Sequence, residues 1–127
     1  MTPRSNLARR ERLRLVLERD GVECVWCRRP IDVGLVEATI EHLVPRIKGG
    51  PSILENEVAA CRRCNGARGH VTPAEWIVEC RGRGWEPNVV AVLAALRRLR
   101  GVWIENGGLR RVRPYVESQI RRIEKMT

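Results

Sequence analysis

The sequence predicts an α+β protein: two short strands and a short helix stapled by a four-cysteine metal site, with helices on both flanks. Three observations carry this. Two CxxC pairs, Cys24-x-x-Cys27 and Cys61-x-x-Cys64, stand 33 residues apart. Between them, two short strand-like runs are separated by Gly49-Gly50-Pro51, a strong breaker. Outside them, apolar residues recur at helical spacing between recognisable caps.

The first helix is expected from about Leu7 to Asp20, with Asn6 as N-cap and Gly21 as the C′ residue. Leu13, Val16 and Leu17 form its apolar face among arginines. After the first knuckle, Arg28-Arg29-Pro30 reads as a turn and Ala38–His42 as a strand, supported by the β-branched pair Thr39-Ile40. A second strand runs from Glu57 to Ala60, and a short helix from about Arg62 to Gly69 completes a strand–loop–strand–helix unit. Thr72-Pro73-Ala74-Glu75 then opens a helix with Thr72 at N-cap, Pro73 at N1 and Glu75 at N3, ending near Gly82 or Gly84. Asn88 caps another, with Val89, Leu93 and Leu96 as its stripe, broken at Asn106-Gly107-Gly108. The last begins at about Pro114 and buries Val116, Ile120 and Ile123. The chain, 1–127, is thus taken as a single domain with a core over 21–72 and a basic helical extension over 73–127.

The paired cysteines are expected to place four thiolates around one tetrahedral zinc. A redox pair and two disulfides are the alternatives. A thioredoxin-like motif needs a βαβ context, which the sequence lacks. Cys80 fits a small buried side chain on the helix from Pro73.

The net charge is +9, with +3 on residues 1–20, −1 on 21–80 and +7 on 81–127. A basic excess of this size favours a polyanion. A near-neutral middle suits a site that holds a cation, and basic flanks suit a phosphate backbone. No apolar run reaches the roughly 20 residues of a membrane span. Met1–Ser5 is followed by no signal-type apolar stretch, so a cytoplasmic, non-membrane protein is expected.

Between the knuckles stand Glu41-His42-Leu43-Val44-Pro45, Gly49-Gly50 and Asn56, and Cys64-Asn65-x-x-Arg68 follows. Over about Cys24 to Gly69 this pattern resembles the HNH endonuclease family, whose fold is a ββα-metal unit. The resemblance implies that His42 is the general base for water attack on a phosphodiester. It implies that Glu41 and Asn65 ligate magnesium or manganese, beside the structural zinc of Cys24, Cys27, Cys61 and Cys64. Asn56 would pin the loop and orient the histidine, and Arg68 would grip a phosphate. Glu41 stands where the family commonly has Asp or His, and Asn65 where many members have His, which favours oxygen-loving metals.

The implied activity is hydrolysis of DNA, double-stranded by preference, leaving 5′-phosphate and 3′-hydroxyl ends. Arg62, Arg63, Arg97, Arg98 and Arg100 are further candidates for phosphate contact, together with Arg110, Arg111 and Arg113. Trp85, Trp103 and Tyr115 lie near this basic tail and suit core packing better than base stacking. His70 is expected to cap a helix end. The alternative function is a non-catalytic zinc-knuckle module that binds nucleic acid or a partner protein. Such a module has no use for Glu41, His42, Asn56 and Asn65 together.

Overall fold

A computed structural model describes residues 7–31, 37–106 and 112–127, the side chains of 103–106 apart. Helix α1 (Arg9–Asp20) starts two residues later than expected, with Ala8 in the N-cap position and no side-chain cap. Asn6, the expected cap, lies outside the described residues. Gly21 ends the helix at φ 96°, where its N–H reaches the Leu17 carbonyl. A positive φ costs glycine little, which is why the chain can turn there. Val16 is buried, and Leu13 and Leu17 pack beside it.

Strands β1 (Ala38–His42) and β2 (Glu57–Cys61) pair antiparallel, with Ala38 opposite Cys61 and His42 opposite Glu57. β2 runs one residue beyond its expected end, so the first cysteine of the second knuckle is also the last residue of the strand. All five residues of β2 are buried, with α1 and the helices over Arg62–Arg68 and Val89–Asn106 packed against it. Helix α2 (Arg62–Arg68) follows without a break and packs on both strands.

The loop between the strands is held by its own backbone. The Lys48 and Gly50 N–H groups both donate to the Pro45 carbonyl, at 2.9 and 3.1 Å. The side chain of Asn56, fully buried, closes the loop: its Oδ1 accepts from Val44 N at 2.9 Å and its Nδ2 donates to Val44 O at 3.0 Å and Pro51 O at 2.9 Å. One amide thereby satisfies three backbone groups that no strand partner reaches.

Helix α3 (Pro73–Gly82) begins with Pro73 in its first turn, and Thr72 Oγ1 accepts from Glu75 N at 3.3 Å. Helix α4 (Val89–Asn106) is capped by Asn88, whose Oδ1 accepts from Ala91 N at 3.1 Å. The break expected at Gly107-Gly108 falls outside the described residues. Helix α5 (Arg113–Glu124) buries Val116, Ile120 and Ile123. Gln119 of α5 accepts from Ala74 N at 2.8 Å, satisfying a first-turn donor of α3. One hydrophobic cluster runs from Val16 in α1 through β2 to Ile123 in α5, so the C-terminal helices share a core with the sheet. Trp26 and Trp76 meet edge to face within it, ring centroids 6.5 Å apart. Among the described residues no helix is long and apolar enough to cross a membrane.

Gly50 is the tightest point of the loop. A Cβ there would overlap the Val44 carbonyl and press on the Asn56 amide. Gly50→Ala is expected to lower stability by about 2 kcal/mol, in the range of overpacked sites. Urea unfolding checks this: the midpoint should fall while the slope stays the same.

Candidate active site

The two knuckles meet where β2 turns into α2. The first is a tight turn in which Arg28 N donates to Cys24 O and Cys24 N to Arg29 O, both at 2.9 Å. Arg28 takes the left-handed region, φ 67°, to make it. The second knuckle needs only the strand–helix corner, with Cys61 ending β2 and Cys64 in the first turn of α2. The four sulfurs lie within 4.8 Å of one another, and those of Cys27 and Cys61 are 3.9 Å apart. A tetrahedral shell with zinc–sulfur bonds of about 2.3 Å sets its sulfurs about 3.8 Å apart, whereas a disulfide needs about 2.05 Å. The cysteines are free thiols, and the donor set fits zinc.

Their surroundings are uneven. Burial pushes the Cys24 and Cys64 thiols up. It acts on Cys61 as well, but there the hydrogen bonds, led by that from Arg29 Nη2 at 3.2 Å, outweigh it and bring the thiol down. Cys80 is fully buried and is not one of the four clustered sulfurs, its thiol pushed up to about 12 chiefly by burial.

On β1 the alternation of side chains divides the expected site between two directions. Glu41 turns into the core, only 3% exposed, where Trp26 Nε1 and Arg68 Nη1 both donate to its carboxylate. Burial raises its pKa, and the charge and hydrogen bonds of Arg68 and Trp26 oppose that. His42 turns towards α1, and its Nε2 lies 3.0 Å from Ser52 Oγ. Beyond the end of the strand the two still border one open groove of about 210 Å³, with Asn65, Arg46, Ile47 and His70 on its other walls. Asn65 Nδ2 donates to Thr39 Oγ1 at 3.0 Å and Ile40 O at 3.1 Å. Both amide hydrogens are used on β1, so Oδ1 is the free end.

Three of the expected residues, Glu41, His42 and Asn65, therefore share the groove, and Asn56 stands behind it holding the loop. Arg68 requires a correction. Its side chain is fully buried. Beyond Glu41 it donates from Nη1 to His42 O at 3.1 Å, from Nη2 to Leu43 O at 2.6 Å and from Nε to Val71 O at 2.9 Å. All three nitrogens face protein acceptors, so Arg68 organises the chain leaving β1 instead of meeting a phosphate.

The basic tail also differs from expectation. Around α4, Arg97 and Arg100 lie about 60° apart but Arg98 stands about 100° from Arg97 and about 160° from Arg100, so the three do not share one face. Arg97 pairs with Glu124 at 2.7 Å, and Arg100 is half-buried. Arg98 is half-buried beside Arg19, Leu54 and Glu55, and burial lowers its pKa. Arg62 is exposed and paired with Glu37 at 3.0 Å. Arg63 lies over the Trp85 ring, 4.5 Å from its centroid. Trp85 packs against Trp76 and Tyr115 against the core, as expected. The Trp103 side chain and Arg110 and Arg111 lie outside the described residues.

Sequence reasoning passed over Arg46, exposed in the groove wall, and Lys48, exposed two residues further along the same loop, and gave His70, also exposed on that wall, only a capping role. Two basic residues in the loop just after His42 were a usable signal. His70 lines the groove instead of capping α2, whose C-terminal turn is closed by the Gly69 N–H to Asn65 O.

Residues 24–79 match the model of a family described as HNH endonuclease. Over 114 residues the chain is 29% identical to the CRISPR-associated endonuclease Cas9 of Corynebacterium diphtheriae, an alignment that covers 87% of this chain and 10% of that protein. The chain thus spans about a tenth of the length of this relative. No solved structure matches it. The HNH resemblance read from the motif is therefore matched independently, and the α+β arrangement of sheet, helices and clustered cysteines agrees with it.

Metal analysis of the purified protein should find about one zinc per chain. The Cys61→Ser, Cys64→Ser double variant should lose the metal and fail to fold, whereas Cys80→Ala should keep the full stoichiometry. A folded double variant, measured by circular dichroism, would show that the sulfur cluster is dispensable.

Proposed function

We propose that this protein is a metal-dependent endonuclease that hydrolyses phosphodiester bonds in DNA, with His42 as the general base. The observation that carries this is the convergence of an imidazole, a carboxylate and a free amide oxygen on one open groove with exposed basic residues around it. The HNH match over residues 24–79 and the endonuclease named in the relative support the same chemistry.

In this mechanism neutral His42 takes a proton from a water in the groove. The water oxygen attacks phosphorus, the bond from phosphorus to the 3′ oxygen breaks, and 5′-phosphate and 3′-hydroxyl ends remain. An imidazole suits the step because its ordinary pKa lies near neutral pH. Glu41 and Asn65 would hold a magnesium or manganese ion. Both offer oxygen, the donor such ions prefer, and each Glu41 oxygen retains a lone pair beside its one hydrogen bond. When bound, the ion supplies Lewis-acid stabilisation of the leaving oxygen. Asn56 keeps the loop and hence the groove wall in place. Arg46, exposed in the groove wall, and Lys48, exposed two residues further along the same loop, take the phosphate contacts first expected of Arg68, with Arg62 and Arg63 as further exposed candidates. A duplex is the substrate we favour. A non-catalytic zinc module would need the cysteines and basic surface but not this convergence.

Plasmid cleavage with magnesium or manganese tests the assignment. His42→Ala should lose roughly 10²–10⁴-fold in rate, with zinc content and thermal unfolding unchanged. Asn65→Ala should instead require more metal for the same rate. It is a cleaner probe than Glu41→Ala, which would leave Arg68 buried and unpaired at a cost of about 3–5 kcal/mol. Wild-type cutting by His42→Ala would favour the non-catalytic module.

DNA affinity should also fall steeply with salt, each phosphate contact contributing about −0.9 to the log–log slope. Replacing Arg46 and Lys48 by Ala should flatten that slope by nearly two contacts. Arg97→Ala, which breaks a pair with Glu124, should leave it almost unchanged. The opposite ranking would place the duplex on α4.

A further inference from the structure

Glu57 is an unusual residue for its position. It sits in a strand whose five residues are all buried, next to Asn56, and is itself fully buried. A carboxylate there is costly to desolvate. It is compensated by Arg12 of α1, whose Nε donates to Oε1 at 2.9 Å and Oε2 at 3.1 Å. Burial alone would push the Glu57 carboxyl up, but hydrogen bonds with His42 and Arg12 hold it below the usual range. Stability does not require such a pair, since apolar residues of similar size usually serve a core as well or better.

What the pair faces is His42. The register sets His42 directly opposite Glu57, so the two side chains emerge on the same face of the sheet. Nε2 of His42 lies 3.0 Å from Ser52 Oγ and 3.5 Å from Glu57 Oε2. Ser52 alone leaves the tautomer open, because a hydroxyl can donate to a bare nitrogen or accept from a protonated one. A carboxylate only accepts. Its presence therefore favours the proton on Nε2 and leaves Nδ1 as the basic nitrogen.

We infer that Glu57, held by Arg12, is a positioning residue that with Ser52 fixes His42 in the Nε2–H tautomer, so that Nδ1 faces its proton-transfer task as a free base. The catalytic half of this statement rests on the proposed nuclease activity; the tautomer does not. A base oriented by a third group through its other nitrogen is a recurring device in general-base catalysis. Here the orienting chain, from Arg12 through Glu57 to His42, begins in α1, outside the residues 24–79 that match the family.

The chain has two histidines, His42 and His70, so ¹⁵N-histidine labelling of the zinc-loaded protein gives a directly readable spectrum. At a pH where both rings are neutral, His42 should show pyrrole-type Nε2 and pyridine-type Nδ1, with exposed His70 as internal reference. Glu57→Gln, whose amide can donate as well as accept, should move His42 towards a mixture of tautomers. It should also lower kcat by about tenfold or more at unchanged KM, a part of the roughly 10²–10⁴-fold that a positioned base supplies.

Should Glu57→Gln not fold, the Arg12→Met, Glu57→Met double variant removes both charges together and carries the same readout. A wild-type His42 with its proton on Nδ1, or a tautomer unmoved by either folded variant, overturns the inference. If the wild-type protein cuts no DNA but the tautomer responds as described, the positioning stands and the nuclease proposal alone fails.

Discussion

Four sulfurs brought within 4.8 Å of one another at the corner between β2 and α2 are the constraint on which the remaining structure depends. Two strands of five residues and a helix of seven are too small to hold their own geometry. A metal held by Cys24, Cys27, Cys61 and Cys64 would tie the segment before β1 to the end of β2 and the start of α2. A structural zinc contributes roughly 10–16 kcal/mol in small peptides, comparable to the whole stability of an ordinary domain. Asn65 immediately follows the last of the four cysteines, so the corner that gathers the sulfurs also brings its amide onto β1, where it bonds Thr39 and Ile40.

Around that corner, polar groups buried in the core do the work of fixing the groove. Arg68 reaches from α2 to three backbone carbonyls and the Glu41 carboxylate. Asn56 reaches from the loop to three backbone groups. Each is expensive to bury unless every hydrogen-bonding atom finds a partner. Their satisfied networks are what make the course of the chain from His42 to Pro51 a single defined conformation.

The charge distribution changes meaning once it is folded. The excess of basic residues after position 80 suggested a phosphate-binding tail, but α4 and α5 spend several of those side chains on each other and on the core. Arg97 meets Glu124, Arg113 meets Glu117, and Arg98 folds against the turn that precedes β2. The exposed charge in the groove wall comes instead from the loop of the nearly neutral middle segment, at Arg46, with exposed Lys48 two residues on. Net charge describes attraction to a polyanion at long range; which residues touch it is a matter of faces.

The sequence alone determined the local features whose cause is local. CxxC spacing located the sulfur cluster, Thr72-Pro73 and Asn88 marked helix starts, Gly21 marked a stop, and the apolar stripe of α5 named its buried face. The order of Glu41, His42, Asn56 and Asn65 between and after the knuckles was enough to point to an HNH site. Only the tertiary structure decided what depends on partners distant in the chain. Arg68 looked like a phosphate ligand because nothing local shows that its nitrogens will meet carbonyls 25 residues away. Glu57 stands in the sequence only as the first residue of an expected strand, because its role follows from the strand register and from Arg12, 45 residues distant. Hydrogen-bond partners of buried charges are chosen by packing, and packing is settled only when the sheet, the sulfur cluster and the surrounding helices are in place together.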